Sequence, residues 1–203
     1  EMLELSSLGA QVLHTRSVEM AKKYNVNLEV LSSLTRKPGR VIKEVVDVEK
    51  MLIKGVAKDN NVARLSIIGV QDIPGIAFKI FSSLAAKKIN VDIILQSVGR
   101  NNTKDIAFTV AADQMDEALE VLDDLKKVMN AKEIVYDDNI SKVSIVGAGM
   151  ATNPGVAAKM FEALADAGIN IHMISTSEIK ISVLINKEDC NRAVNAIHDA
   201  FIV

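Results

Sequence analysis

The sequence predicts an α+β protein in which one βαββαβ module occurs twice. Residues 74–97 read PGIAFKIFSSLAAKKINVDIILQS and residues 154–177 read PGVAAKMFEALADAGINIHMISTS, and these windows match at 11 of 24 positions without a gap. Unrelated segments would match at roughly one or two positions, so the similarity indicates a duplicated structural unit. The flanks agree as well, because RLSIIG precedes the first copy and KVSIVG the second.

The composition is that of a soluble globular protein. Hydrophobic residues make up 49% and charged residues 25% of the 203 residues, and the net charge of −2 provides no basic field to attract nucleic acid. No apolar run reaches the roughly 18 residues of a membrane span. Cys190 is the single cysteine, which is typical of a reducing compartment, so we expect a cytoplasmic protein without nucleic-acid or membrane partners.

Residues 1–61 contain short elements ahead of the repeat. Residues 1–9 have a helical apolar spacing that glycine closes, and the chain begins inside this pattern, which suggests a fragment of a longer protein. A second helix is predicted at 17–24 and a strand at 28–31. Residues 35–40 (TRKPGR) are expected to form a linker, because Pro-Gly favours a turn. A strand is predicted at 51–57 and a turn at 58–61.

The first module is predicted from the period of its apolar residues. Apolar residues line one face of a helix at 74–88 and of another at 115–129. Strands are expected at 63–70, 91–98, 106–112 and 132–136, with a loop at 99–104. The order is βαββαβ, the split βαβ arrangement of ferredoxin-like folds.

The second module repeats this order but lacks its last strand. Strands are predicted at 142–147, 169–175 and 179–185, and helices at 155–167 and 188–200. The chain ends at residue 203, which leaves little room for a fourth strand. We therefore hypothesise that the spare strand at 51–57 fills this place and interlocks the two modules.

The two modules resemble the tandem ACT domains of the aspartokinase family. The turns GVQDIPG and GAGMATNPG and the segment INIHMISTSEIKISVLI, residues 169–185, are similar to that family's motifs. The head, EMLELSSLGAQVLHTRS, resembles the end of the family's kinase domain, so the resemblance covers essentially the whole chain. Thr15 stands where the family has proline and Leu31 where it commonly has arginine, and both lie in the kinase remnant.

The resemblance implies three parts: a remnant of the amino-acid-kinase domain with a linker at 1–40, a first ACT module at 50–137, whose strand at 51–57 is a candidate for sharing with the second, and a second module at 138–203. The full-length enzyme would use ATP and Mg to phosphorylate the side-chain carboxylate of L-aspartate, the first step of lysine, threonine and methionine biosynthesis. The phosphate-binding K-x-G-G segment is absent from this chain, so we expect the fragment itself to be non-catalytic and to hold no cofactor. The implied partners are lysine and threonine as feedback inhibitors, a second copy forming a homodimer through the ACT modules, and the catalytic domain or subunit.

The turn at 71–75 (QDIPG) is the first candidate effector site. Glycine permits close approach of a ligand, the helix N-terminus favours a carboxylate, and Asp72 can meet an ammonium group, which together suit a zwitterionic amino acid. The alternative is an ordinary strand-to-helix turn with a purely structural role. The amide of Gln96 can donate and accept, which suits a polar ligand side chain. The predicted site residues of this turn are Asp72, Ile73, Pro74, Gly75, Ile76, Ala77 and Gln96.

Asn170 and Ile171 are implied by the resemblance to complete the threonine site across a module interface. Asn90 occupies the repeat position of Asn170, and since asparagine often caps or turns, a purely structural role is the alternative for both. The equivalent positions Asn90, Val91 and Asp92 are included in the predicted site.

The second turn (GAGMATNPG, residues 147–155) and the STSE segment (residues 175–178) are predicted to form the pocket of the second module that is equivalent to the first candidate site. Glu178 or Asp92 is a candidate partner for a lysine ammonium group, while simple strand pairing is the alternative for the Ser-Thr-Ser run. The predicted residues here are Met150, Thr152, Asn153, Pro154, Gly155, Val156, Ser175, Thr176, Ser177 and Glu178.

The sequence gives little support for a dinucleotide, metal or nucleophilic site. The run from Gly147 to Gly149 suggests a dinucleotide site, but Thr152 stands where the third glycine would be. The histidines are scattered without metal-ligand spacing, no metal is expected, and no nucleophile–base pair is apparent.

Three other functions stay open at this level: retained catalysis, a ligand-free oligomerisation module, and a regulatory subunit made separately from an internal start, for which Met51 is a candidate position.

Overall fold

The computed structural model describes residues 2–8, 13–35, 37, 39–42, 53–99, 101–147 and 153–202. The helices are α1 (Met2–Ser7), α2 (Thr15–Lys23), α3 (Ile76–Ala86), α4 (Met115–Met129), α5 (Val156–Asp166) and α6 (Cys190–Phe201). The strands are β1 (Leu28–Val30), β2 (Arg40–Ile42), β3 (Gly55–Asp59), β4 (Ala63–Gln71), β5 (Ile94–Gln96), β6 (Thr103–Val110), β7 (Glu133–Asp137), β8 (Ile140–Val146), β9 (Met173–Thr176) and β10 (Lys180–Asn186). Short 3₁₀ helices at Ala112–Gln114 and Lys187–Asp189 lead into α4 and α6. The chain divides into two compact units, Asn60–Ser141 and the combination of Glu1–Asp59 with Lys142–Val203.

The unit Asn60–Ser141 is a complete βαββαβ module. Its antiparallel sheet has the order β5-β6-β4-β7. The core contains Leu65 and Phe108 from the sheet and Ile80, Leu84 and Leu122 from the two helices, all fully buried. Since α3 and α4 each present an apolar stripe at helical spacing, both can pack on this sheet, which confirms the predicted module architecture.

The second module obtains its fourth strand from the segment before the first module. Its sheet has the order β3-β8-β10-β9, and β3 pairs antiparallel with β8 from Gly55 opposite Val146 to Asp59 opposite Lys142. Ile53, just ahead of β3, is buried in the core with residues of α5, α6, β8 and β10. This confirms the hypothesis that the spare strand ahead of the first module fills the empty edge position of the second. The strand spans Gly55–Asp59, which overlaps the predicted 51–57 and ends two residues later.

Helix α1 covers the opposite face of this second sheet. Leu5 and Leu8 pack with Ala57 and Val146, whereas the neighbouring residues of those strands face α5 and α6, as the alternation of side chains along a strand requires. The segment between α2 and β3 contains a two-stranded antiparallel ribbon, β1 with β2, in which Leu28 lies opposite Ile42. The predicted linker at 35–40 therefore leads into a strand that the sequence analysis missed.

Several predicted boundaries are wrong where strands lie at a sheet edge or beside a tight turn. Strand β5 spans Ile94–Gln96 and β9 spans Met173–Thr176, shorter than the predicted 91–98 and 169–175. The predicted loop at 99–104 includes the start of β6, because Asn101 and Asn102 both have positive φ (51° and 58°) and reverse the chain sharply.

Within the described part of the chain, none of the helices has the length and apolar character that a bilayer crossing requires.

Candidate functional site

The first predicted turn joins the end of β4 to the start of α3. Gly75 is the residue before the helix and has φ of 88°, and a Cβ atom placed on it would meet nothing within 4 Å. Gly75, as the N-cap residue, has no side chain with which to cap this helix start. Because the first amides of a helix have no partner inside it, this end has hydrogen-bond donors that a carboxylate can use. Pro74 and Gly75 are exposed, while Ile76 is buried in the module core.

Asp72 already has a cationic partner within its own module. Lys104 Nζ lies 2.8 Å from Asp72 Oδ1, and the Lys104 side chain is 10% exposed whereas that of Asp72 is 46% exposed. The Asp72 backbone N–H donates to the carbonyl of Asn102 at 2.8 Å, which holds the turn against the start of β6. The ammonium-binding ability expected of Asp72 is thus used internally by a lysine that the sequence analysis did not single out.

Gln96 lies at this same end of the sheet, which we call the turn end of the first module. It is exposed on β5 and lies opposite Ile106, two residues from Lys104 along β6. The strand ends are tied together here, because Asp105 Oδ1 accepts from the Gly69 N–H at 2.8 Å and the Asp105 N–H donates to Ser97 Oγ at 2.9 Å. The structure therefore brings Asp72, Gln96 and the start of α3 to one end of the module.

Asn90, Val91 and Asp92 lie at the other end, the far end of this module. The N–H of Asp92 donates to the Thr109 carbonyl at 3.1 Å. Thr109 and Lys104 are five residues apart on β6, which corresponds to about 17 Å along a strand. The predicted residues at 90–92 are thus not brought together with Asp72 within the module.

The second module repeats the turn geometry. Gly155 precedes α5 with φ of 95°, nothing lies within 4 Å of a Cβ built on it, and Val156 is buried. Asn153 and Pro154 are exposed, and Met150 and Thr152 lie outside the described residues.

The STSE segment lies at the turn end of the second module. The Ser177 N–H donates to the Lys180 carbonyl at 2.7 Å, and the Gly147 N–H donates to the Ile179 carbonyl at 2.9 Å, so the segment lies beside the chain that leaves β8. Ser175 lies opposite Ser182, while Thr176, Ser177 and Glu178 are exposed. Lys180, two residues after Glu178, forms an ion pair with Glu4 of α1 at 3.5 Å, which no local sequence pattern predicts.

Asn170 and Ile171 lie at the far end of the second module. The following residue, His172, donates its N–H to the Leu184 carbonyl at 2.8 Å, four residues along β10 from Lys180. Asn170 is exposed and Ile171 packs against the core. In each module, then, the turn and the asparagine-containing segment lie at opposite ends of the sheet, and no single module assembles both.

The part of the chain that the structure describes gives no support for a metal site or a nucleophilic site. Among those residues no group of three or more histidine, cysteine or acidic side chains is placed to hold a metal ion. Cys190 is buried in the second core, and His172 Nε2 is 2.7 Å from Asn186 Oδ1.

A comparison of the sequence with known protein families identifies the class of protein to which this fold, with its two turns, belongs. A family profile described as "ACT domain" matches residues 65–125 and 143–201, so the chain contains two ACT domains in tandem. The aspartokinase of Mycolicibacterium smegmatis is 45% identical over 206 residues, which cover 99% of this chain and 49% of that protein.

Solved structures give the same result for the regulatory part. The ligand-free regulatory subunit of aspartate kinase from Thermus thermophilus is 45% identical with a TM-score of 0.70, and the match covers 74% of this chain and 99% of that one. A structure of aspartokinase alpha and beta subunits is 44% identical with a TM-score of 0.69 and the same coverage. The chain belongs to the aspartokinase family and corresponds to its ACT-domain regulatory region. It spans about half the length of the curated relatives it matches.

Proposed function

We propose that this chain senses L-threonine, L-lysine or both as the regulatory region of an aspartate kinase. The observation that carries the proposal is the repeated turn, in which a left-handed glycine without contacts near its Cβ is the N-cap residue of a helix. Helix amides for a carboxylate lie beside Asp72 and Gln96 in one module and beside the STSE segment in the other. These groups match the carboxylate, ammonium and side chain of an amino acid.

The separation of turn ends and far ends favours a site built from two modules. Asp72 and Gln96 lie at a turn end, and Asn170 and Ile171 at a far end of the other module. We propose that a second copy of the chain supplies the missing half, so that ligand binding and homodimer geometry are coupled. A ligand that binds one dimer arrangement more tightly shifts the population toward it by the difference in affinity.

The exposed sheet edges support the homodimer. The edge strand β5 leaves Ile94 and Leu95 exposed, and the edge strand β9 leaves Ile174 exposed. Exposed apolar edge strands with unpaired backbone groups are natural sites for pairing with another chain. The same observation favours a second candidate function, a ligand-free oligomerisation module, which differs from the first in predicting no amino-acid binding.

In the full-length protein, this region would regulate a cytoplasmic kinase that uses ATP and Mg to phosphorylate the side-chain carboxylate of aspartate. The regulatory chain would act through the kinase domain or through a separate catalytic subunit. Both proposals concern the whole protein, of which this chain spans about half.

Equilibrium dialysis with the L and D forms of threonine and lysine tests the sensing function. We predict saturable binding of at least one L-amino acid and much weaker binding of its D-enantiomer, because the carboxylate and ammonium positions are fixed by the turn. Absent binding of all four amino acids would favour the oligomerisation module, whereas equal binding of both enantiomers would contradict recognition by the turn.

A further inference from the structure

We propose that Lys104 is an internal competitor for the effector's α-ammonium group at the first turn. Its own ammonium group lies 2.8 Å from the Asp72 carboxylate. An amino acid that uses Asp72 must exchange one ammonium for another, so Lys104 sets the affinity of this site. The inference rests on the proposed amino-acid sensing and assigns a regulatory residue to the same site.

The Asp72–Lys104 ion pair is accessible from solvent on the side of Asp72. The Asp72 side chain is 46% exposed, so its carboxylate can be approached from solvent, whereas the Lys104 side chain is 10% exposed. A Cβ built on Gly99 would lie 2.8 Å from Asp72 Oδ2, so Lys104 lies beside one carboxylate oxygen and the Gly99 backbone lies near the other. An incoming ammonium therefore approaches the exposed side of a carboxylate that Lys104 already partly neutralises.

The position of Lys104 is fixed by the strands around it. Lys104 lies opposite Val70, beside the bulge at the end of β4, and the next residue, Asp105, binds the Gly69 N–H and pairs with Ser97. The lysine backbone is thus held where its side chain reaches Asp72. Such a fixed cation can compete persistently with a ligand, in contrast to a lysine on a free loop.

The second module differs at the position of this lysine. Gln96 lies opposite Ile106 and its repeat counterpart Thr176 lies opposite Ile181, so the position that corresponds to Lys104 is Ile179. An isoleucine cannot pair with an anion. The two turns therefore share their helix starts but differ in the residue at this register position.

Titration of four forms of the chain tests the inference. We compare wild type, Lys104→Met, Lys104→Arg and the control Arg64→Met, which removes a cation paired with Asp137 at 3.4 Å at the other end of β4. With L-threonine or L-lysine as the probe, Lys104→Met is expected to bind about fivefold more tightly, the change that corresponds to an ion pair of moderate exposure. Lys104→Arg and Arg64→Met are expected to bind like wild type.

The 2-hydroxy analogue of the amino acid that binds, in which a hydroxyl replaces the α-ammonium, separates competition from general effects. Its affinity is expected to be unchanged by Lys104→Met. Equal gains for the amino acid and the analogue, or weaker amino-acid binding by Lys104→Met, would overturn the inference while leaving amino-acid sensing intact. If wild type and every variant failed to bind either amino acid, the proposed function itself would fail. Binding by Lys104→Met alone would support the inference.

Discussion

Ala57 lies opposite Ser144 in the antiparallel ladder between β3 and β8, so the strand that precedes the first ACT module completes the sheet of the second. Lys58 Nζ adds a 2.5 Å hydrogen bond to Asn191 Oδ1 on α6. The chain therefore passes between the two units twice, after Asp59 and after Ser141. A cut between the modules at residue 138, where the sequence predicts the boundary, would leave the second module without its edge strand.

Replacing Ile53 by alanine tests the contribution of this segment to the second core. Ile53 is 2% exposed and packs among residues of both helices and the sheet. Ile53→Ala is expected to lower the free energy of unfolding by about 2–5 kcal/mol, since it removes buried methyl groups and leaves a cavity. Urea unfolding measures this. Ile73→Ala, at an exposed isoleucine, is the matched control and should change stability by less than about 0.5 kcal/mol.

Two truncations test whether β3 is needed for the second module to fold. A chain that starts at residue 51 keeps Ile53 and β3, whereas a chain that starts at residue 60 loses both and uncovers the backbone of β8. The first is expected to unfold cooperatively, and the second to lose the protected amides of β8 and β10 in hydrogen exchange while keeping those of β4 and β6. Equal protection in both truncations would show that β3 is dispensable.

The buried hydroxyls of Ser144 and Ser182 are expected to stabilise the sheet as a pair. Their Oγ atoms lie 2.7 Å apart, and both residues are buried. Either single alanine variant leaves one buried hydroxyl unsatisfied and is expected to cost about 1–3 kcal/mol, whereas the double variant should cost less than the sum of the two. Thermal or urea unfolding of all four forms completes the cycle. Strictly additive costs would show that the two hydroxyls act independently.

Asp72 and Gln96 are expected to contribute directly to threonine binding. Asp72→Asn removes the negative charge that attracts the ammonium group, and Gln96→Ala removes the side-chain amide, so each is expected to weaken binding by about tenfold, typical of a lost hydrogen bond to a charged or polar ligand group. Asp123→Asn, an exposed position on α4, is the control. Titration of the three variants measures the effect, and unchanged affinity in the Asp72 variant would place the site elsewhere.

The regular parts of the fold were predictable because their patterns are local. The apolar stripe of α4 predicts 115–129, and the structure has Met115–Met129. Helices α3 and α5 begin within two residues of their predictions, because Pro-Gly marks both starts. The repeat itself predicts two equal turns, and the structure has left-handed glycines at both.

The remaining features depend on contacts between distant parts of the chain. Strand β2 lies in a segment rich in turn-forming and charged residues, and its pairing with β1 outweighs the local preference. The Asp72–Lys104 pair joins residues separated by a strand, a helix and a hairpin, so no local pattern indicates it. The assignment of Asn90 and Asn170 to far ends follows from strand register, which the sequence does not specify by itself.

Titration calorimetry of the chain with L-threonine, L-lysine and both together, with molar mass measured by light scattering in the same solutions, tests whether the chain senses an amino acid as a dimer. We predict saturable heat with at least one of these amino acids and a dimer that tightens when it binds, since the ligand is held by modules of two copies. No heat with either amino acid well above millimolar concentration, with an unchanged mass, would contradict it.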